Sequence, residues 1–352
     1  MSKITTAGLD LAKNVFQVHG VDQHGKAVVN KPLKRSQVPA FFEKLLPCLV
    51  GMEACSSAHY WARELTKLGH TVKLMPPKYV KAYVKRGKTD AIDAEAICEA
   101  VTRPSMTFVR AKPAEQQGLC MLHSVRAKLV SQRTQAINAL RGHLGEFGVI
   151  APQGMLGIAA LALIVRDTSD ARLPGIARVA LEALLAQIEG TDAQVARLDE
   201  AIRAEHKASE ESRRLDTVPG VGPITASAIR ARIGDPGQFE NGRHMAAWLG
   251  LVPEQASSGG KEKQRGISKK GDGYLRRLLV SGAMSVVRQA QRRPEKYPWL
   301  AKLLGRMPGK AAAIALANKN ARILWTIMAH GGRYQPGHRN ASFLPAEVAA
   351  NA

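Results

Sequence analysis

The chain has 352 residues and a formal net charge of +22, with 51 lysines and arginines against 29 aspartates and glutamates. That length carries two or three domains with ample core, and the charge excess draws polyanions, nucleic acid first and an anionic membrane surface second. Four cysteines without a Cys-x-x-Cys pair exclude a disulfide frame and a zinc site, the longest apolar run (155–165) is too short to span a bilayer, and no apolar leader precedes the first strand, so a cytoplasmic setting is expected.

Thr6 to Ala12 reads as a short apolar strand with Asp10 inside it. Val15 to Val21 alternates, Asp22 to Gly25 makes a turn, and Ala27 to Val29 begins a third strand, so the start is a β-meander. An ionised Asp10 in a buried strand is costly, so it must sit at an edge, pair, or bind a cation. Ser36 caps a helix running through Phe41 to Leu46. Leu49 to Glu53 is a strand that also ends on an acid. Ala58 to Leu68 is helical and stops at Gly69; His70 to Met75 is a strand cut off by Pro76 and Pro77. A short basic helix follows around Lys81 to Arg86. Gly87-Lys88-Thr89 then turns into a helix in which Asp90 and Asp93, three apart, share one face.

Taken singly, these acids are ordinary: two strand ends, and a helix start whose carboxylates complement the macrodipole. Adjacent carboxylates repel unless water or a divalent cation screens them. As an ordered set they say more. The order β-β-β-α-β-α-β-α with a mixed sheet is the ribonuclease-H-like layout, in which carboxylates from two strands and a later helix converge on two metals. In-line attack on a phosphodiester needs charge on the entering and leaving oxygens neutralised, and two carboxylate-held metals do that.

The segments Gly8-Leu9-Asp10-Leu11-Ala12-Lys13, Gly51-Met52-Glu53-Ala54 and Lys88-Thr89-Asp90-Ala91-Ile92-Asp93-Ala94 resemble the Holliday-resolvase-like (RuvC-like) domain of the DEDD insertion-sequence transposases. The resemblance runs to about residue 330. It implies that Asp10, Glu53, Asp90 and Asp93 are catalytic and hold Mg²⁺ (or Mn²⁺). It also implies DNA as donor and target, a structured non-coding guide RNA of the bridge-RNA type, and an active site assembled across protomers of a dimer or tetramer. A cytoplasmic, nucleoid-associated protein with no membrane partner is expected.

Gln116 to about Gly148 is helical with a basic face from Arg126, Lys128, Arg133 and Arg141. After the apolar run and a Pro174-Gly175 break, the positions Ala177, Leu181, Leu184, Ile188, Thr191, Val195, Leu198 and Ile202 make a heptad seam, weakened at Gly190. The seam packs within the chain or self-associates, and the resemblance favours a coiled-coil arm joining protomers. Pro219-Gly220-Val221-Gly222-Pro223 opens a helix as helix-hairpin-helix modules do, which makes Gly220 and Gly222 candidate phosphate contacts. From Pro253 to Arg277 glycines, serines and cations interleave, reading as a mobile loop that meets an anion. Its candidate nucleic-acid contacts are Lys261, Lys263, Arg265, Lys269, Lys270, Arg276 and Arg277.

The resemblance places a serine nucleophile in a Ser-Gly pair of this loop, here Ser258-Gly259, with Ser257 adjacent. No nearby histidine serves as base, so metal-bound carboxylates or cations would activate it. The expected fold is α/β: a RuvC-like mixed sheet, a coiled-coil helical arm and a mainly α C-terminal domain. The expected division is a DEDD catalytic domain at 1–150, a helical linker at 151–212, a C-terminal serine transposase domain at 213–335 and a flexible tail at 336–352. Two other function classes remain open. One is a metal-dependent Holliday-junction-type nuclease using water, with Ser258 structural. The other is a non-catalytic basic architectural protein, which four acids would hinder on DNA unless neutralised.

Overall fold

The computed structural model describes residues 3–85, 87, 89–255 and 264–335, without the side chains of 264 and 265. The chain divides into two compact units, residues 1–117 and 118–352.

In the first unit β1 (Thr6–Asp10), β2 (Val15–Val21) and β3 (Ala27–Lys34) form the antiparallel meander. After α1 (Val38–Glu43), β4 (Leu49–Glu53) pairs parallel to β1. α2 (Ala58–Lys67) then crosses over to β5 (Thr71–Met75), parallel to β4, and the sheet order is β3-β2-β1-β4-β5. This is the mixed sheet of a ribonuclease-H-like fold. β3 continues from its expected start at Ala27–Val29 to Lys34 and includes Pro32, which an edge strand tolerates because its outer N–H groups need no ladder partner. α3 (Pro77–Val80) starts at the second of the two prolines, whose fixed φ suits a first helical turn. α4 (Asp90–Val101) follows.

Period-two alternation assigns the two faces of the sheet. Ala7, Leu9, Phe16, Val18, Val50 and Met52 point to one face and pack with Val38, Phe42, Trp61 and Leu65 from α1 and α2. Gly8, Asp10, Gly51 and Glu53 fall on the other, where Met75, Val80, Ile97, Ala100 and Val101 form a second core under α4.

The second unit takes most of α5 (Ala114–Gly145), then α6 (Met155–Arg166) and α7 (Gly175–Ala208). α5 and α7 pair antiparallel, with Arg126 bonded to Asp199 and Arg133 to Asp192. Leu181, Leu185 and Ile188 of α7 pack with Leu140 and Leu144 of α5 and with Ile158, Leu161 and Val165 of α6. The heptad seam is therefore used within the chain over these turns. α8 (Glu210–Leu215), α9 (Pro223–Arg232), α10 (Gly242–Trp248), α11 (Gly273–Arg292), α12 (Pro298–Leu304) and α13 (Gly309–His330) build the largest core. Between α10 and α11 the strands β6 (Pro253–Gln255) and β7 (Gln264–Ile267) pair antiparallel. The stretch read as a mobile loop thus has a paired ribbon at its described ends. Among the described residues no helix is long and apolar enough to cross a membrane.

Candidate active site

Asp10 ends β1 and Glu53 ends β4. The parallel register Thr6↔Leu49, Ala7↔Val50, Gly8↔Gly51 carries the two acids to the same level of neighbouring strands, on the same face. α4 lies on that face because two residues there have no side chain. A Cβ at Gly8 would collide with the Ala94 carbonyl oxygen, and one at Gly51 would stand 2.8 Å from Val101 Cβ. Close approach at Ala94 sets the first turn of α4 against the carboxyl ends of β1 and β4. The Thr89 hydroxyl accepts from the Ile92 N–H at 3.3 Å and caps the helix, which fixes where Asp90 and Asp93 begin it.

Electrostatics link all four acids. Burial raises the Asp10 carboxyl pKa, and the charges of Asp93 and then Asp90 raise it further, against a lowering hydrogen bond from the Leu11 N–H. Burial also raises Glu53, followed by the charges of Asp10 and Asp93. Half-buried like charges at one strand end oppose folding unless something neutralises them. The donors are hard carboxylate oxygens, the chemistry that suits Mg²⁺ or Mn²⁺ rather than zinc. Among the described residues no group of three His, Cys, Asp or Glu side chains is arranged to hold one ion. The four acids gather without closing into a cage.

Two neighbours escaped the sequence reading. Cys55, exposed at the strand end, donates its N–H to the Glu53 carbonyl at 2.8 Å, and partial desolvation with the charges of Glu53 and Asp10 raises its thiol pKa. Ser57 holds a left-handed backbone, φ 69°, at the entry to α2, a strained geometry for a residue with a Cβ. The small-residue run 54–57 after an acid-ended strand is the only signal the sequence offered for either.

In the second unit the anion candidates lie near one another in sequence but differ in what they do. Lys269 and Lys270 are exposed, Lys269 at φ 54° and Lys270 with Nζ 3.7 Å from Glu254. Arg277 is exposed, its guanidinium 5.9 Å from the Tyr274 ring centroid. Arg276 turns inward and donates to the carbonyls of Leu249 at 2.8 Å and Lys270 at 3.0 Å. Gly220, at φ 85°, packs against the Gly282 backbone of α11, and Gly222 is the N-cap of α9. Arg265 lies on β7. Ser257, Ser258, Gly259, Gly260, Lys261 and Lys263 lie outside the described residues.

Two separate stretches of the chain match models of known protein families. Residues 7–148 match the DEDD transposase model of the IS110 type, and residues 212–298 match the model described as transposase IS116/IS110/IS902 family. The chain is 52% identical over 336 residues to a Pseudomonas aeruginosa protein named "Probable family 20 transposase", covering 95% of this chain and 99% of that one. It is 39% identical to the transposase for insertion sequence element IS1111A of Coxiella burnetii, covering 96% of this chain and 93% of that one. To the transposase for insertion sequence element IS1328 of Yersinia enterocolitica it is again 39% identical, over 94% of this chain and 98% of the other. Identity of this extent across nearly the whole length of these proteins settles membership: the chain belongs to the IS116/IS110/IS902 family of transposases.

Proposed function

We propose that this transposase cuts and rejoins DNA through a serine nucleophile, Ser258, aided by a Mg²⁺-binding site of Asp10, Glu53, Asp90 and Asp93. The observation that carries the reading is the gathering of those four acids at one end of the sheet, each able to feel another's charge. In the cleavage step Ser258 Oγ bonds to phosphorus, and the bond to the leaving sugar oxygen breaks. The serine proton passes to a base, and the leaving oxygen takes up a proton in turn, from that base or from water, and departs as a hydroxyl. Metal-bound carboxylates of the four acids, or the cations of the loop, would activate the serine for that transfer. Attack by a new DNA hydroxyl on the phosphoserine reverses the exchange, so one ester replaces another and no outside energy is needed. Divalent ions bound by the four acids would neutralise charge on the entering and leaving oxygens.

Exposed Lys269, Lys270 and Arg277, with Arg265, Lys261 and Lys263 of the same stretch, supply phosphate contacts, and Gly220 and Gly222 supply backbone approach before α9. A structured non-coding RNA as guide rests wholly on what the family resemblance implies. Self-association through the helical arm is supported by Leu156, Leu163, Ile176 and Val179, apolar side chains of α6 and α7 that stay exposed.

A plasmid bearing the element's ends, incubated with protein and Mg²⁺, tests the carboxylates. Asp93→Asn and Glu53→Gln are expected to lower cleavage by about a hundredfold or more while DNA binding persists. Cleavage at the wild-type rate by either variant, or in excess chelator, would remove the metal site from the reading.

A further inference from the structure

The strand end that carries Asp10 also carries a recess on the opposite face of the sheet. The β1–β2 hairpin, the end of β3 and the first turn of α2 line a shallow, open recess of about 620 Å³. Asn14, Lys34, Arg35, Ser36, Tyr60 and Trp61 line it. The Arg35 N–H donates to the Asn14 carbonyl at 2.8 Å, which ties the hairpin to the end of β3.

The chemistry of this lining is specific. The Arg35 guanidinium lies 5.3 Å over the Trp61 ring and 5.7 Å over Phe16, and its outer side is exposed. Neither Arg35 nor Lys34 pairs with a carboxylate among the described residues. Tyr60 meets Trp61 edge to face at 5.2 Å yet stays 42% exposed. Trp61 is 3% exposed, and its indole N–H has no acceptor among the described residues.

Stacking planes beside free cations are what an unpaired nucleotide needs: the base stacks on a ring or a guanidinium plane, and the phosphate takes the cations. A base inside a duplex has both faces covered by its neighbours and cannot enter. We propose that this recess holds one unpaired nucleotide of the nucleic acid on which the transposase acts. Its base lies against Tyr60 and the Arg35–Trp61 stack, and its phosphate lies at Lys34 and Arg35. The inference rests on the nucleic-acid reading above. A displaced DNA strand and a single-stranded RNA loop present the same chemistry, so both are tested.

The full-length protein is titrated into labelled single strands of DNA and RNA of one sequence, and into the matching duplex, with binding read by anisotropy. Tyr60→Ala and Arg35→Gln are expected to weaken single-strand binding about fivefold or more, the low end for stacking on one base, and to leave duplex binding unchanged. A 5-iodouracil-substituted strand should crosslink to the peptide containing Tyr60. Weakening with DNA alone assigns the recess to a displaced strand, with RNA alone to an RNA loop, and with both to single strands of either sugar. Tyr60 is a surface side chain, and a melting curve matching wild type certifies the fold of its variant. If both variants bind both strands as wild type does while wild type still binds duplex, the recess is overturned and the transposase reading stands. A wild type that binds no nucleic acid would sink both.

Discussion

His123 of α5 is fully enclosed, with Nδ1 3.2 Å from the Tyr274 hydroxyl and Nε2 3.0 Å from the Ser227 hydroxyl. Burial, then the charges of Arg232 and Arg126, hold its pKa down to about 4. The unfolded chain takes up that proton near the ordinary value of 6.5, the folded chain only near 4. Stability from this group is therefore full above pH 6.5, falls as the pH drops through the window, and levels off below about 4. The whole loss is about 3 kcal/mol, following from the size of the pKa difference. His123→Gln keeps an amide to bond the hydroxyls and removes the titration. Urea melts at neutral pH and near pH 4.5 should show a clearly smaller stability loss in the variant than in wild type. An equal loss in both would contradict the assignment. A lone histidine between Leu122 and Ser124 gave no such signal in the sequence, because its three-way enclosure joins segments a hundred residues apart. Asp10 was legible for the opposite reason: a charge inside an apolar strand is costly enough to need an explanation wherever it occurs.

Two glycines decide where α4 lies. Gly8 and Gly51 let the helix backbone approach the sheet, and that approach carries Asp90 and Asp93 toward Asp10 and Glu53. Gly8→Ala should push α4 outward, cost about 1–3 kcal/mol as overpacking does, and depress cleavage with all four acids intact. Gly190→Ala is the counterpart: its Cβ would meet nothing, and α7 should gain about 0.5–1 kcal/mol from helix propensity. Thermal melts and the plasmid assay check both. A Gly8→Ala protein as stable and active as wild type would show that the contact does not set the site. The order of strands and helices up to α4 was legible from period, caps and breakers, since each is a local property of the chain. The extension of β3 through Pro32 was not, because tolerance of proline depends on edge position, which only the assembled sheet defines. The β6–β7 ribbon was also missed: glycine and lysine in a strand read as loop unless a partner strand is known. α12 was hidden between Pro298 and Gly305, too short for a periodic signal.

At the scale of the molecule the 51 lysines and arginines divide by role, and part of them work internally. Arg126, Arg133, Arg230 and Arg232 are taken up by Asp199, Asp192, Glu205 and Asp272, which fasten α5 to α7 and α9 to its neighbours. Arg276 is likewise spent on backbone carbonyls, a role that a run of cations cannot reveal. Lys269 and Arg277 are different, and replacing either by alanine should lower the salt dependence of DNA binding by about one unit, uniformly across sequences. Arg276→Ala should instead lower the melting temperature. An unchanged slope in the Lys269→Ala, Arg277→Ala double variant would assign these cations to solubility alone. The central claim is that a serine, not water, attacks phosphorus. It is tested most directly by denaturing the protein during reaction with labelled DNA and sequencing any DNA-linked peptide. A covalent adduct is expected on the peptide holding Ser258, absent in Ser258→Ala together with recombination and retained in Ser257→Ala. A Ser258→Ala protein that still cuts, beside a wild type that never forms the adduct, would contradict it and leave a water-using nuclease in its place.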